Sequence, residues 1–132
     1  MSQELLTIPI SPGEMLDKIT ILEIKSVRIT DQSKVLNVRK ELSLLVDLWS
    51  QHVTEDEVLI KMRRELKTIN EKLWDIEDDI RDEERNNRFA ERFIELARLV
   101  YITNDKRAEV KKQINLHLGS AIVEEKSYQQ YS

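Results

Sequence analysis

A chain of 132 residues with 40% hydrophobic content has the size and apolar share of a single domain with one core. Its 21 basic and 25 acidic residues leave a net charge of −4 with the signs interleaved, which excludes the basic footprint that a nucleic-acid backbone requires. There is no cysteine, so disulfides, thiolate zinc sites and cysteine nucleophiles are excluded as well. With 35% charged residues but only two Gly and two Pro, the composition predicts an all-α protein. The N-terminal stretch carries no basic leader, and no segment approaches the roughly 20 apolar residues of a spanning helix. The expectation is a soluble cytoplasmic protein with no membrane or nucleic-acid partner.

Residues Leu5 to Ile10 read as a short extended segment, because Pro9 biases Thr7-Ile8 away from helix, and its apolar side chains are expected to tuck onto the bundle. Ser11-Pro12-Gly13-Glu14 then combines a Ser N-cap, a Pro at the first helical position and a Glu placed to close a capping box. A helix is predicted from Pro12 to Ile29, burying Met15, Leu16, Ile19, Leu22 and Ile24, with Thr30-Asp31 as the turn. The second helix spans about Ser33 to His52, with a seam of Val35, Val38, Leu42, Leu45 and Trp49. Thr54 with Glu57 forms another capping box, which opens a third helix from Glu55 to Arg85.

That third helix carries Leu59, Met62, Leu66, Ile69, Leu73, Ile76 and Ile80 at heptad spacing, which favours near-parallel packing on a partner helix. Asn86-Asn87 marks a break before a fourth helix from Arg88 to Leu118. Its seam is Phe89, Phe93, Leu96, Val100, Thr103, Arg107, Val110 and Ile114, and Gly119 ends it as a C′ residue. Two helices of about 30 residues, each about 45 Å long, joined by a short connection make an antiparallel hairpin. The expected fold is therefore an elongated all-α bundle built on that hairpin, with short non-helical N- and C-terminal segments. The first two helices cover one side of it and leave length for a second chain, so a homo-oligomer, most simply a dimer, is expected. Beyond Gly119, Ala121-Ile122-Val123 reads as a return strand or part of a loose tail.

Polar stripes flank the seams of the two long helices: Asn70, Trp74, Glu77 and Arg81 on the third, and Tyr101, Asn104, Lys111 and Asn115 on the fourth. A hairpin breaking near Asn86 sets Glu77 near Leu96 and Asn70 near Thr103, which brings the stripes together. Arg107 sits at a seam position and must find an acceptor, because an uncompensated buried charge costs about 3–5 kcal/mol. Glu77 or Asp78 is the nearest candidate by this register. Two readings stand side by side. The stripes form a register-fixing polar network, or they line a pocket for a small anionic or polyhydroxylated ligand. In the pocket, Arg107, Arg81 and Lys111 contact the anion, Trp74 and Tyr101 are flat walls, and Asn70 and Asn104 orient it.

Glu71, Asp75, Asp78 and Asp82 stack carboxylates that suit a hard cation such as Mg²⁺, with Glu14 and Asp17 as possible extra ligands, although such runs are ordinarily solvated faces. No metal ligand and no cofactor is expected, and Asp75, Asp78 and Asp82 are the residues that Mg²⁺ would take if it bound. His52 and His117 have no ligand-like spacing and read as surface residues.

The blocks Ser11 to Lys25, Asn70 to Arg81, Arg92 to Asn115 and Glu124 to Tyr128 resemble an uncharacterised bacterial and phage family, a domain of unknown function. A similar N-x-x-L-W-x-x-E-D-x-x-R signature occurs in a second all-helical family. The resemblance implies a place near glycosyltransferases of surface polysaccharides, and no reaction. It adds Glu14, Asp17 and Lys18 to the site, since the first block centres on them. The leading expectation is a small-ligand-binding or accessory module for nucleotide-sugar or polysaccharide metabolism. One alternative resembles the Mg²⁺-dependent all-α nucleoside triphosphate pyrophosphatases, whose sites pair E-x-x-E with E-x-x-D. Here Glu14-x-x-Asp17 has the second form and Asp75-x-x-Asp78 replaces the first. The other alternative is a purely structural helical dimer.

Overall fold

Local sequence chemistry sets each helix boundary in the computed structural model, which describes residues 4–123, 125 and 130. Four helices form among the described residues: α1 (Pro12–Arg28), α2 (Gln32–His52), α3 (Glu57–Arg85) and α4 (Glu91–His117). The all-α expectation holds, and the described residues contain no strand. Ser11 Oγ accepts the Glu14 N–H at 3.2 Å and so caps α1 as its sequence requires.

Three helix starts differ from the sequence expectation, two because of the cap and one because of the preceding turn. Asp31 caps α2 by accepting the Lys34 N–H at 3.1 Å, so the helix begins at Gln32 rather than Ser33. Asp56, not Thr54, caps α3 by accepting the Leu59 N–H at 2.8 Å. A carboxylate outcompetes a hydroxyl at this post, because its charge also favours the positive end of the helix dipole. α4 starts at Glu91 rather than Arg88, since the preceding turn holds Arg88: its N–H bonds the Glu83 carbonyl at 2.9 Å, while Asn87 takes a left-handed φ of 54°. The same closure recurs at the end of α4, where Gly119 has φ 64° and the Ser120 N–H reaches the Asn115 carbonyl at 2.8 Å.

α3 and α4 form the antiparallel hairpin, with Arg92 and Asp79 paired across it at 3.7 Å. α1 is the central helix, packed on α2, α3 and α4, whereas α2 packs against α1. The core gathers Met15, Leu16 and Ile19 of α1, Trp49 of α2, Leu59, Met62 and Leu66 of α3, and Val110 and Ile114 of α4. Burying each of these large side chains contributes about 1.5–3 kcal/mol, so the end of the hairpin covered by α1 and α2 holds most of the stability. Toward the turn only two helices remain, with Ile76 and Leu96 buried between them and Phe89 edge-on to Phe93 at 5.4 Å.

The N-terminal segment departs from expectation in its packing. Leu5, Leu6 and Ile8 stand exposed, Leu6 at 94%, and only Ile10 of that segment packs against the core. Ala121 to Val123 form no strand, and most of the tail beyond them lies outside the described residues.

His117 Nε2 meets Asp56 Oδ2 at 2.8 Å, which ties the end of α4 to the start of α3. The Leu59 N–H and then His117 hold the Asp56 carboxyl below its ordinary pKa. A carboxyl depressed on folding adds stability that is present above its unfolded pKa and lost as pH falls through the folded one. Thermal denaturation followed from neutral to strongly acidic pH should therefore show a steeper acid limb for the wild type than for Asp56→Ala. Parallel curves would show that the cap is not coupled to the carboxyl charge.

Candidate functional site

Asp17 lies on the face of α1 that meets the hairpin, with its side chain 1% exposed. A carboxylate so placed needs every lone pair answered. Arg107 of α4 supplies Nε to Oδ1 at 2.9 Å and Nη2 to Oδ2, a bidentate clamp that a lysine could not reproduce. Asn70 of α3 gives Oδ1 a second donor at 2.9 Å, and the same amide nitrogen lies 2.9 Å from Thr20 Oγ1. Thr20 in turn donates to the Asp17 carbonyl at 2.9 Å, so three helices share one closed network.

Two further levels dock α1. Toward its N-terminus, the Gly13 N–H donates to Asn115 Oδ1 at 2.7 Å, and Lys111 Nζ meets Glu14 Oε2 at 2.5 Å. The backbones approach so closely there that a Cβ on Gly13 would run into the Lys111 carbonyl oxygen and sit 2.9 Å from Asn115 Oδ1. At the other end, Arg28 donates to Asp75 at 2.5 Å and its guanidinium lies 5.9 Å from the centroid of the Trp74 ring.

Beside the network opens a cleft of about 360 Å³ between α1, α3 and α4. Asn70, Trp74, Glu77 and Arg81 line it from α3, and Asn104 and Arg107 from α4, so five residues of the two stripes share one concavity with the seam residue Arg107. Asp17 sits beneath its floor, bound to Arg107 and Asn70. The other candidates lie elsewhere. Glu14, Lys111 and Asn115 are the docking contacts near the start of α1, while Tyr101 and Lys18 are exposed and outside the cleft lining.

The acceptor for Arg107 proves to be Asp17 rather than Glu77, which instead lies 3.7 Å from Arg81 one turn along α3. Hairpin register alone suggested Glu77, but α1 lays its carboxylate into the groove between the long helices. Lys25, Ile21 and Ile24 of α1 also line the cleft and were missed by sequence reasoning. Their spacing from Asp17, at steps of four, three and one, was the available signal. Asp78 lines the cleft too, although the sequence suggested it as an acceptor for Arg107 or a Mg²⁺ ligand and not as a cleft residue.

Two of the four carboxylates in the α3 stripe are taken up by arginines. Asp75 holds Arg28, and Asp82 holds Arg85 at 2.6 Å and Arg88 at 3.2 Å. The hydrogen bond from Arg85 holds the Asp82 carboxyl below its ordinary pKa. Among the described residues, no group of three His, Asp or Glu side chains is placed to hold a metal ion. No described helix is long and apolar enough to cross a membrane.

Fold and site together define a small all-helical module with a polar cleft braced by a buried ion pair. The chain belongs to a family of unknown function (DUF6165), whose profile matches residues 6–131. No curated protein and no solved structure matches it.

Removing either partner of the Asp17–Arg107 pair strands the other. Asp17→Asn and Arg107→Met are each expected to cost about 2–4 kcal/mol, the lower end reflecting the 29% exposure of Arg107. In a double-mutant cycle by denaturant unfolding, the double change should cost at least about 1 kcal/mol less than the sum. Strict additivity would mean that the two do not interact. Gly13→Ala should cost about 1–3 kcal/mol by forcing α1 away from α4, and an unchanged melting temperature would refute that close approach.

Proposed function

We propose that the chain is a cytoplasmic small-ligand-binding or accessory module, and that the cleft between α1, α3 and α4 takes a small anionic, polyhydroxylated molecule. The observation that carries this reading is the division of labour among the stripe residues. Asn70 and Arg107 are held by the buried Asp17, whereas Trp74, Glu77, Arg81 and Asn104 line the open side.

The open side has the mixture such a ligand needs. Arg81, 79% exposed and only 3.7 Å from its Glu77 partner, can turn toward a phosphate or carboxylate at small cost. Lys25 offers a second positive charge from α1, across the cleft from Arg81 on α3. Glu77 and Asp78 accept hydrogen bonds from hydroxyls, and the Asn104 amide can orient either group. Trp74 supplies a flat apolar surface on which a sugar ring or base can lie. Carboxylates beside the cations select against a bare polyanion and favour a molecule with both charge and hydroxyls. The resemblance of the sequence blocks to families found beside glycosyltransferases makes nucleotide sugars the first ligands to test.

Thermal-shift and calorimetric titrations with nucleotide sugars, nucleoside phosphates and inorganic phosphate, each with and without Mg²⁺, test the reading. A ligand that binds the folded state raises the melting temperature in proportion to occupancy. Arg81→Ala and Asn104→Ala should keep the melting temperature of the free protein nearly unchanged and weaken binding at least about tenfold, or about 1.4 kcal/mol. If no ligand of these classes binds, or if binding survives both substitutions, the cleft is not the site. A shift that appears only with Mg²⁺ and is lost in Asp78→Asn would replace the module reading with a phosphohydrolase.

A further inference from the structure

The apolar residues of α4 fall on two faces. One face carries Leu96, Thr103, Val110 and Ile114, all buried, while the other exposes Ile94 at 57% with Leu99 and Ile102 half-buried beside it. On that outer face a shallow groove of about 360 Å³ is lined by Glu91, Ile94, Glu95, Arg98, Leu99 and Ile102, and α4 alone supplies its walls. Steps of three, four, seven, eight and eleven make these residues one continuous stripe.

The order of charges along the stripe singles out one occupant. Within the groove the acids Glu91 and Glu95 stand toward the N-terminal end, and the base Arg98 follows one turn on. A two-fold axis across the helix, centred between Glu95 and Arg98, lays the acid Glu95 of one copy on the base Arg98 of another and sets Glu91 beside Ile102. We infer that this face is where a second copy docks, α4 against α4 in antiparallel sense. Glu95 of each copy then lies opposite the partner's Arg98, and Ile94 packs on the partner's Leu99. This inference is independent of the ligand reading, because the cleft opens on α1 and α3 and shares no residue with the stripe.

Little stands in the way of such pairing. Glu95 is held only by Arg92 at 3.2 Å, an exposed pair one turn apart, and Arg98 has no ion pair among the described residues. The heptad seam of α3, where the sequence suggested self-association, is turned inward: Leu59, Met62, Leu66 and Ile76 are buried. A single helix-on-helix crossing lies at the small end of specific interfaces, so the dimer should dissociate at micromolar concentration.

Sedimentation velocity on the full chain over the micromolar range, with circular dichroism as a check on folding, tests the arrangement. The wild type should show a concentration-dependent dimer. Glu95→Arg and Arg98→Glu, each placing like charges opposite one another, should weaken it at least about tenfold, and the double charge swap should restore it to within about threefold of the wild type. A wild type that stays monomeric, a dimer indifferent to either reversal, or a folded double variant that fails to recover would each overturn the assignment. Loss of the dimer in Leu44→Lys but not in Arg98→Glu would move the interface to α2 and overturn it equally.

Discussion

The buried carboxylate of Asp17 is the constraint around which the rest of the molecule is arranged. Taking one negative charge out of water costs several kcal/mol, and the fold repays it with a bidentate guanidinium from α4 and an amide from α3. Those donors come from both arms of the hairpin, so the carboxylate can be satisfied only when α1 lies in the groove between them. The position of α1 then determines that of α2, which packs against α1. A core of leucine and isoleucine would accept α1 slid or rotated by a turn; the Asp17 network, with Gly13 pressed against the Lys111 carbonyl, accepts one position.

The cleft follows from the same arrangement. α1 contributes Lys25, Ile21 and Ile24 to a wall that the hairpin alone would lack, and Arg107 and Asn70 reach it already immobilised by Asp17. A ligand that met them would not have to order them, which is how preorganisation lowers the entropic cost of binding. The register-fixing network and the lined cavity, which the sequence presents as rivals, are thus two layers of one structure. The buried layer holds position, and the open layer of Trp74, Glu77, Arg81 and Asn104 is exposed to whatever enters.

Much of this was legible in the chain because helices announce themselves by period and cap. The heptads of α3, the Ser11 cap and the Asn86-Asn87 turn all behave as their residue types dictate, and hairpin register brought Asn70, Trp74 and Glu77 alongside Asn104 and Arg107. What failed had physical causes. Periodicity relates two helices joined by a short turn but does not say which third helix covers them, so Arg107 was given an acceptor on α3 instead of α1. Lys25 looked like any solvated lysine, since nothing in a lone basic residue says that its face borders a cavity. The capping-box pattern pointed to Thr54, two residues before the Asp56 carboxylate that caps α3. Leu5, Leu6 and Ile8 show that apolar character does not by itself guarantee burial.

The central claim is that α1 is held by the hydrogen-bonded network around the buried Asp17 carboxylate, and nitrogen-resolved NMR of the side chains tests it most directly. The account predicts that the Arg107 Nε–H and a single, well-separated pair of Asn70 Nδ2 protons remain visible at neutral pH. They should exchange with solvent no faster than the backbone amides of the surrounding core open. An Arg107 Nε–H that exchanges like that of an exposed arginine, with averaged Asn70 protons, would contradict it and leave α1 held by apolar packing alone.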